Sequence, residues 1–213
     1  MARGTRTFVK ICGITRPDDA RAAARAGADA VGFVFAPSPR RISPADAGAI
    51  ADLLHPSVRR IGVFVDETPA NVLRIIDQAG LDGVQLQGSE SAQFVIDLRA
   101  ERPSLTIFKV VRSAAAGELA KAEGLEVDAI FIDPKDAADP TAPVDRIPVD
   151  TLRELSIRFI VAGGLTPSNV GALVAEVRPW GVDVSGGVEE RPGEKDPEKV
   201  RAFLRAVRDA ERD

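Results

Sequence analysis

The chain has 213 residues, 45% of them hydrophobic and 28% charged, with a formal net charge of −4 at pH 7; that length suits one domain with a substantial core, and the composition is not that of a disordered chain. An acidic balance with nine Phe, one Trp and no Tyr argues against a nucleic-acid binder, which needs a basic face and stacking aromatics. One Cys and one His leave no internal disulfide and too few soft ligands for a Cys-rich zinc site.

Residues 1–7 lead directly into an apolar strand, without an apolar leader or a small-residue cleavage signal. No segment approaches the roughly 18 apolar residues of a spanning helix. The expected setting is the cytoplasm, with Cys12 reduced and no membrane partner.

Along the chain, short β-type runs alternate with amphipathic helical ones. Phe8 to Ile14 reads as a strand, followed by a helix over Pro17 to Ala26, where Pro17, Asp18 and Asp19 suit a first turn. Ala30 to Phe35 is the second strand, and Ser43 with Pro44 opens a helix to about Leu54. Arg60 to Val65, a helix over Pro69 to Ala79, and Gly83 to Gln87 come next. Ser89 caps a helix to about Glu101. Thr106 to Val111, a helix over Ala114 to Ala122, and Ala129 to Asp133 follow, then an irregular stretch from Pro134 to Pro148. Val149 to Leu155 is a short helix, Arg158 to Ala162 a strand, Pro167 to Val177 a helix, Val182 to Ser185 the eighth strand, and Pro197 to Arg208 the closing helix. Eight such pairs without a linker predict an α/β fold, a single eightfold β/α (TIM) barrel over residues 1–213.

Alternation within the strands supports the closed barrel independently of the count. Val9 and Ile11 alternate with Lys10 and Cys12, Val84 and Leu86 with Gln85 and Gln87, Ile130 and Ile132 with Phe131 and Asp133, and Val182 and Val184 with Asp183 and Ser185. The apolar set faces the helices and the other set the interior. Cys12, Gln87, Asp133 and Ser185 then end their strands at the C-terminal mouth, where barrel active sites form.

Chemistry-bearing residues gather at the same end. Gly163-Gly164 follow the seventh strand and Ser185-Gly186-Gly187 the eighth, the two loops that form the usual barrel phosphate site. Cys12 and Asp133 are a thiol and a carboxyl suited to moving protons, each worth about 10²- to 10⁴-fold when positioned; a buried thiol is also an ordinary small hydrophobe. The lone His55 precedes Pro56 after a helix, which disfavours a Ser-His or Cys-His nucleophile. Arg40 and Arg41 follow Pro37-Ser38-Pro39, either gripping a substrate carboxylate or standing in solvent.

The segments V-K-I-C-G-I-T, G-A-D-A-V-G-F-V-F, S-P-R-R-I-S-P, I-G-V-F-V, V-Q-L-Q-G, F-I-D, A-G-G-L-T-P-S-N-V, and G-V-D-V-S-G-G-V-E with P-G-E-K-D together resemble the phosphoribosylanthranilate isomerase family of tryptophan biosynthesis, in its order, from about Val9 to the last helix. The resemblance implies an Amadori rearrangement of an N-aryl aminoaldose phosphate. Asp133 matches the family's general acid, Cys12 its general base and Arg40 the arginine that holds the anthranilate carboxylate. Gly164, Gly186 and Gly187 lie in its phosphate loops, and Gln87, Asp183 and Ser185 match further substrate-binding positions. It implies no metal or organic cofactor, a small sugar phosphate as partner, and a monomer or homodimer. The chain departs from the family where Gln87 replaces a usual His, where Ser185-Gly186 replaces two serines, and where D-P-K-D-A-A-D-P-T-A-P-V-D replaces a glycine-rich loop. Two further readings are a paralogue acting on a different N-substituted aminoaldose phosphate and a non-catalytic sugar-phosphate binding module.

Overall fold

The computed structural model describes residues 6–112, 116–133, 152 and 155–212. Eight parallel strands form a closed barrel in sequence order: β1 (Phe8–Cys12), β2 (Ala30–Val34), β3 (Arg59–Phe64), β4 (Gly83–Leu86), β5 (Thr106–Val111), β6 (Ala129–Ile132), β7 (Phe159–Val161) and β8 (Gly181–Val184), with β8 pairing back onto β1. Around them lie α1 (Pro17–Ala26), α2 (Pro44–Ala51), α3 (Pro69–Ala79), α4 (Ala92–Glu101), α5 (Ala116–Glu123), α6 (Val170–Val177) and α7 (Pro197–Ala210). The irregular stretch Pro134–Pro148 and, apart from Leu152 and Leu155, the short helix expected over Val149–Leu155 lie outside the described residues. Among the described residues no helix is long and apolar enough to cross a membrane.

Local chemistry explains where the helices start. Ser43, Thr68 and Ser91 each accept a hydrogen bond from the backbone N–H three residues on, at Asp46, Asn71 and Phe94, which satisfies a donor that the first turn leaves unpaired. Ser89 does not cap α4: its N–H and hydroxyl both donate to Asp66 Oδ1, at 2.6 and 2.8 Å. The helix after β7 begins at Val170 rather than Pro167, because the Asn169 side chain accepts from Thr166 N at 2.8 Å and donates to Gly164 O at 3.1 Å. That closes a separate turn ahead of it.

The strand alternation sorts side chains into two cores. Val9, Ile11, Val31, Phe33, Val84, Leu86, Ile130, Ile132, Val182 and Val184 pack outward with the helices. Their neighbours Ala30, Ile61, Phe108, Val110, Ala129, Phe131, Ile160 and Ala162 fill the interior, with Phe8 and Trp180 packed against them. Each fully buried large apolar side chain contributes roughly 1.5–3 kcal/mol. Phe8 stacks on Trp180 with ring centroids 4.8 Å apart, and Phe108 lies 5.3 Å from Phe131. The N-terminal end is thereby plugged with aromatic rings, and the polar interior residues lie nearer the other end.

Between β8 and α7 the chain makes a short 3-10 turn over Gly186–Val188 and then an antiparallel hairpin, β9 (Glu189–Arg191) with β10 (Glu194–Lys195). The sequence reading assigned no element there.

Candidate active site

Because all eight strands run in parallel, their C-terminal ends share one rim. Cys12 is the last residue of β1, Gln87 directly follows β4, Asp133 follows β6, and Ser185 follows β8. Gly163 and Gly164 lie just beyond β7.

Beneath Cys12 sits a buried ion pair. The β1–β8 register sets Lys10 opposite Asp183, and Lys10 Nζ donates to Asp183 Oδ1 at 2.8 Å while lying 5.4 Å from the centre of the Phe131 ring. Burial alone would push the Lys10 amine down, but the negative charge and hydrogen bond of Asp183, with a further pull from Cys12, hold it above its ordinary value. It therefore stays an ammonium. Burial pushes the Cys12 thiol up, the Lys10 charge opposes that, and Asp183 adds to it, leaving the thiol raised. Lys10 is thus the main influence favouring a thiolate at this position. Asp183, read from sequence as a substrate contact, is the counter-ion that keeps Lys10 charged.

Room for this arrangement comes from Gly32, the register partner of Cys12. A Cβ there would stand 2.8 Å from Cys12 Sγ and 3.0 Å from both Lys10 Cε and Nζ, closer than such atoms pack.

Of the two adjacent arginines, Arg41 is exposed while Arg40 reaches into the site. Arg40 Nε and Nη2 donate to the two carboxylate oxygens of Glu189 at 2.7 and 2.6 Å, a bidentate pair. Lys195 Nζ donates to Glu189 Oε1 at 2.7 Å and to Ser185 O at 3.2 Å. Burial pushes the Glu189 carboxyl up, but the Arg40 and Lys195 hydrogen bonds overcome it and hold the group at about 2. Burial pushes the Lys195 amine down against the pull of Glu189. A Cβ at Gly186 would lie 3.5 Å from Arg40 Nη2, so Arg40, Glu189, Lys195 and the Ser185-Gly186 loop form one neighbourhood.

The loops after β7 and β8 approach too closely for side chains at their crossing. A Cβ on Gly187 would overlap the Leu165 carbonyl. Gly164 and Gly186 are exposed, which leaves their backbone accessible to an anion. Across the rim, Gln87 is half-buried, and its N–H donates to Phe64 O at 2.9 Å. Its loop is pinned by Glu90, which accepts from Asp66 N, Gly88 N and Lys109 Nζ at 3.0, 3.1 and 2.6 Å. His55 is exposed, with its ring against Ser57, and plays no part at the rim.

A family model described as N-(5'phosphoribosyl)anthranilate (PRA) isomerase matches residues 9–206. The chain belongs to the PRA isomerase family. An N-(5'-phosphoribosyl)anthranilate isomerase from Desulforudis audaxviator is 45% identical over 207 residues, covering 96% of this chain and 99% of that one. The crystal structure of phosphoribosyl anthranilate isomerase from Thermus thermophilus is 36% identical with a TM-score of 0.86, covering 95% and 99%. A phosphoribosyl anthranilate isomerase structure in complex with reduced 1-(o-carboxyphenylamino)-1-deoxyribulose 5-phosphate is 37% identical with a TM-score of 0.80, also covering 95% and 99%.

As a PRA isomerase, the chain is an enzyme of tryptophan biosynthesis. Glu189 and Lys195 in its rim were not singled out from sequence, although both stand in quoted motifs, G-V-E and P-G-E-K-D. Pro192-Gly193 between two charged runs was the available signal for a hairpin. That the hairpin folds back over the mouth required the structure.

Proposed function

We propose that Cys12 and Asp133 divide the proton transfers in the rearrangement of N-(5-phosphoribosyl)anthranilate to 1-(2-carboxyphenylamino)-1-deoxyribulose 5-phosphate. Asp133, as the acid, gives its proton to the ribose ring oxygen while the aryl nitrogen lone pair forms the C1–N double bond and the C1–O bond breaks. Cys12, in its thiolate form, takes the C2 proton; the C2–H electrons form the C1–C2 double bond as the C1–N π pair returns to nitrogen, and the resulting enolamine becomes the ketone as C1 gains a proton and the C2 hydroxyl loses one. The substrate is isomerised without an external oxidant or reductant. In this reading Arg40 holds the anthranilate carboxylate, Gly164, Gly186 and Gly187 receive the phosphate, and Gln87 and Ser185 complete the walls. Asp183 acts through Lys10. The soluble phosphorylated substrate fits a cytoplasmic setting for a single-domain enzyme.

The observation that carries this assignment is the fully buried Lys10 ammonium, paired to Asp183, one inward step below Cys12. A thiol that served only as core packing would need no such charge beneath it, and burying that charge is costly. The test is steady-state turnover of freshly prepared substrate, followed by the loss of its fluorescence. Cys12→Ala and Asp133→Ala are each expected to lower kcat by about 10²- to 10⁴-fold. Full activity in both variants would overturn the roles assigned here.

A further inference from the structure

Four N–H groups converge on one carboxylate at the mouth. Glu189 accepts from Arg40 Nε at 2.7 Å, Arg40 Nη2 at 2.6 Å, Lys195 Nζ at 2.7 Å and the Gly193 backbone at 3.2 Å, and its side chain is only 5% exposed. The carboxylate is itself held in place. Lys195 N donates to Asp19 Oδ2 at 2.9 Å, Thr15 Oγ1 donates to Gly193 O, and Asp196 N donates to Val188 O at 2.9 Å. The hairpin is thus bound to the β1–α1 segment on one side and to the turn after β8 on the other.

An acidic residue beside a site for a molecule with two anionic groups looks counterproductive, since it cancels part of the attraction. Its geometry gives the reason. A guanidinium is planar and offers its donors along fixed edges; Glu189 occupies the edge made by Nε and Nη2, so the outer edge with Nη1 is the one left to a ligand. A substrate with a phosphate at one end and a carboxylate at the other can otherwise enter reversed, with its phosphate on an unrestrained arginine. Partial neutralisation and a fixed edge both disfavour that orientation.

We propose that Glu189 is a positioning residue for carboxylate specificity. It clamps Arg40 in the orientation that receives the aryl carboxylate, and through Lys195, which also reaches Ser185 O, it ties that orientation to the loop after β8. This inference rests on the reaction and the role of Arg40 proposed above.

The experiment compares the parent enzyme with Glu189→Gln and Glu189→Asp on two substrates, the N-(5-phosphoribosyl) conjugates of anthranilate and of aniline, the latter lacking the carboxylate. Glu189→Gln keeps the shape but places an amide N–H against donors, and Glu189→Asp keeps the charge but shortens the reach. Each is expected to raise KM for the anthranilate conjugate by about 10- to 100-fold, the range of a lost charged hydrogen bond. KM for the aniline conjugate and kcat for both substrates should change far less. If one variant fails to fold, as seen by its melting transition, the other still decides. An equal rise in KM on both substrates, or no rise on either, overturns the proposal while leaving the reaction intact. No turnover of either substrate by the parent overturns the reaction reading, and this inference with it.

Discussion

Lys10 and Asp183 face each other across the β1–β8 pairing with Nζ and Oδ1 2.8 Å apart, sealed between an aromatic floor and the thiol of Cys12. The pair fixes an ammonium in the barrel interior two residues before Cys12, the base proposed above. Removing one partner strands the other in a medium that solvates charge poorly.

Lys10→Met is therefore expected to cost about 3–5 kcal/mol of stability, the usual penalty for breaking a buried pair from one side, and to raise the Cys12 pKa further. Lys10→Met with Asp183→Leu should recover most of the stability and none of the activity at neutral pH. Urea unfolding, alongside the pH dependence of Cys12 alkylation, checks both halves. An unchanged Cys12 titration in Lys10→Met would remove Lys10 from the mechanism.

Gly32→Ala tests the space around the same thiol. The added methyl meets Cys12 Sγ at 2.8 Å and the end of Lys10 at 3.0 Å, and both must shift. Overpacking of this kind costs about 1–3 kcal/mol, whereas displacing a reacting group by about an ångström costs on the order of 100-fold in rate. The expected result is a protein that melts cooperatively only slightly below the parent and turns over far more slowly. Measured together, melting temperature and kcat separate the two effects.

Gly187→Ala acts on the other half of the site. Its methyl runs into the Leu165 carbonyl, a backbone atom that cannot rotate away, so the loops after β7 and β8 must separate. Inorganic phosphate should inhibit the parent competitively and this variant much more weakly. Inhibition unchanged in Gly187→Ala would show that the two loops do not form the phosphate site.

Acid stability should report on Glu189. Its carboxyl falls from the ordinary 4.5 to about 2 on folding, so its contribution is fully present above the unfolded value near 4.5 and is lost as the pH drops through about 2. At about 1.4 kcal/mol per pH unit this amounts to roughly 3 kcal/mol, because the buried side chain is shielded from solvent. The stability gap between the parent and Glu189→Gln is expected to be widest above pH about 5 and to shrink steadily below it. Denaturant titrations at several acidic pH values measure that gap directly.

The sequence by itself determined the architecture and one residue set. Period-two alternation in β1, β4, β6 and β8 decided which side chains face the interior, because a parallel strand has only two faces and the helices cover one of them. That placed Cys12 at the rim with Lys10 one step below, and it separated Gln87, Asp133 and Ser185 from their outward neighbours. The order of the motifs also carried the family.

Relations between distant segments were decided only by the tertiary structure. Lys10 and Asp183 are 173 residues apart and meet because barrel closure sets the β1–β8 register; no local pattern encodes that shift. Arg40 and Glu189 are separated by 149 residues, and only the fold-back of the β9–β10 hairpin brings that carboxylate onto the arginine. Likewise Ser89, a plausible cap from its position, is claimed by Asp66 from the preceding loop. A strand face follows from neighbours in the chain, but a charge partner follows from the closed sheet and the loops above it.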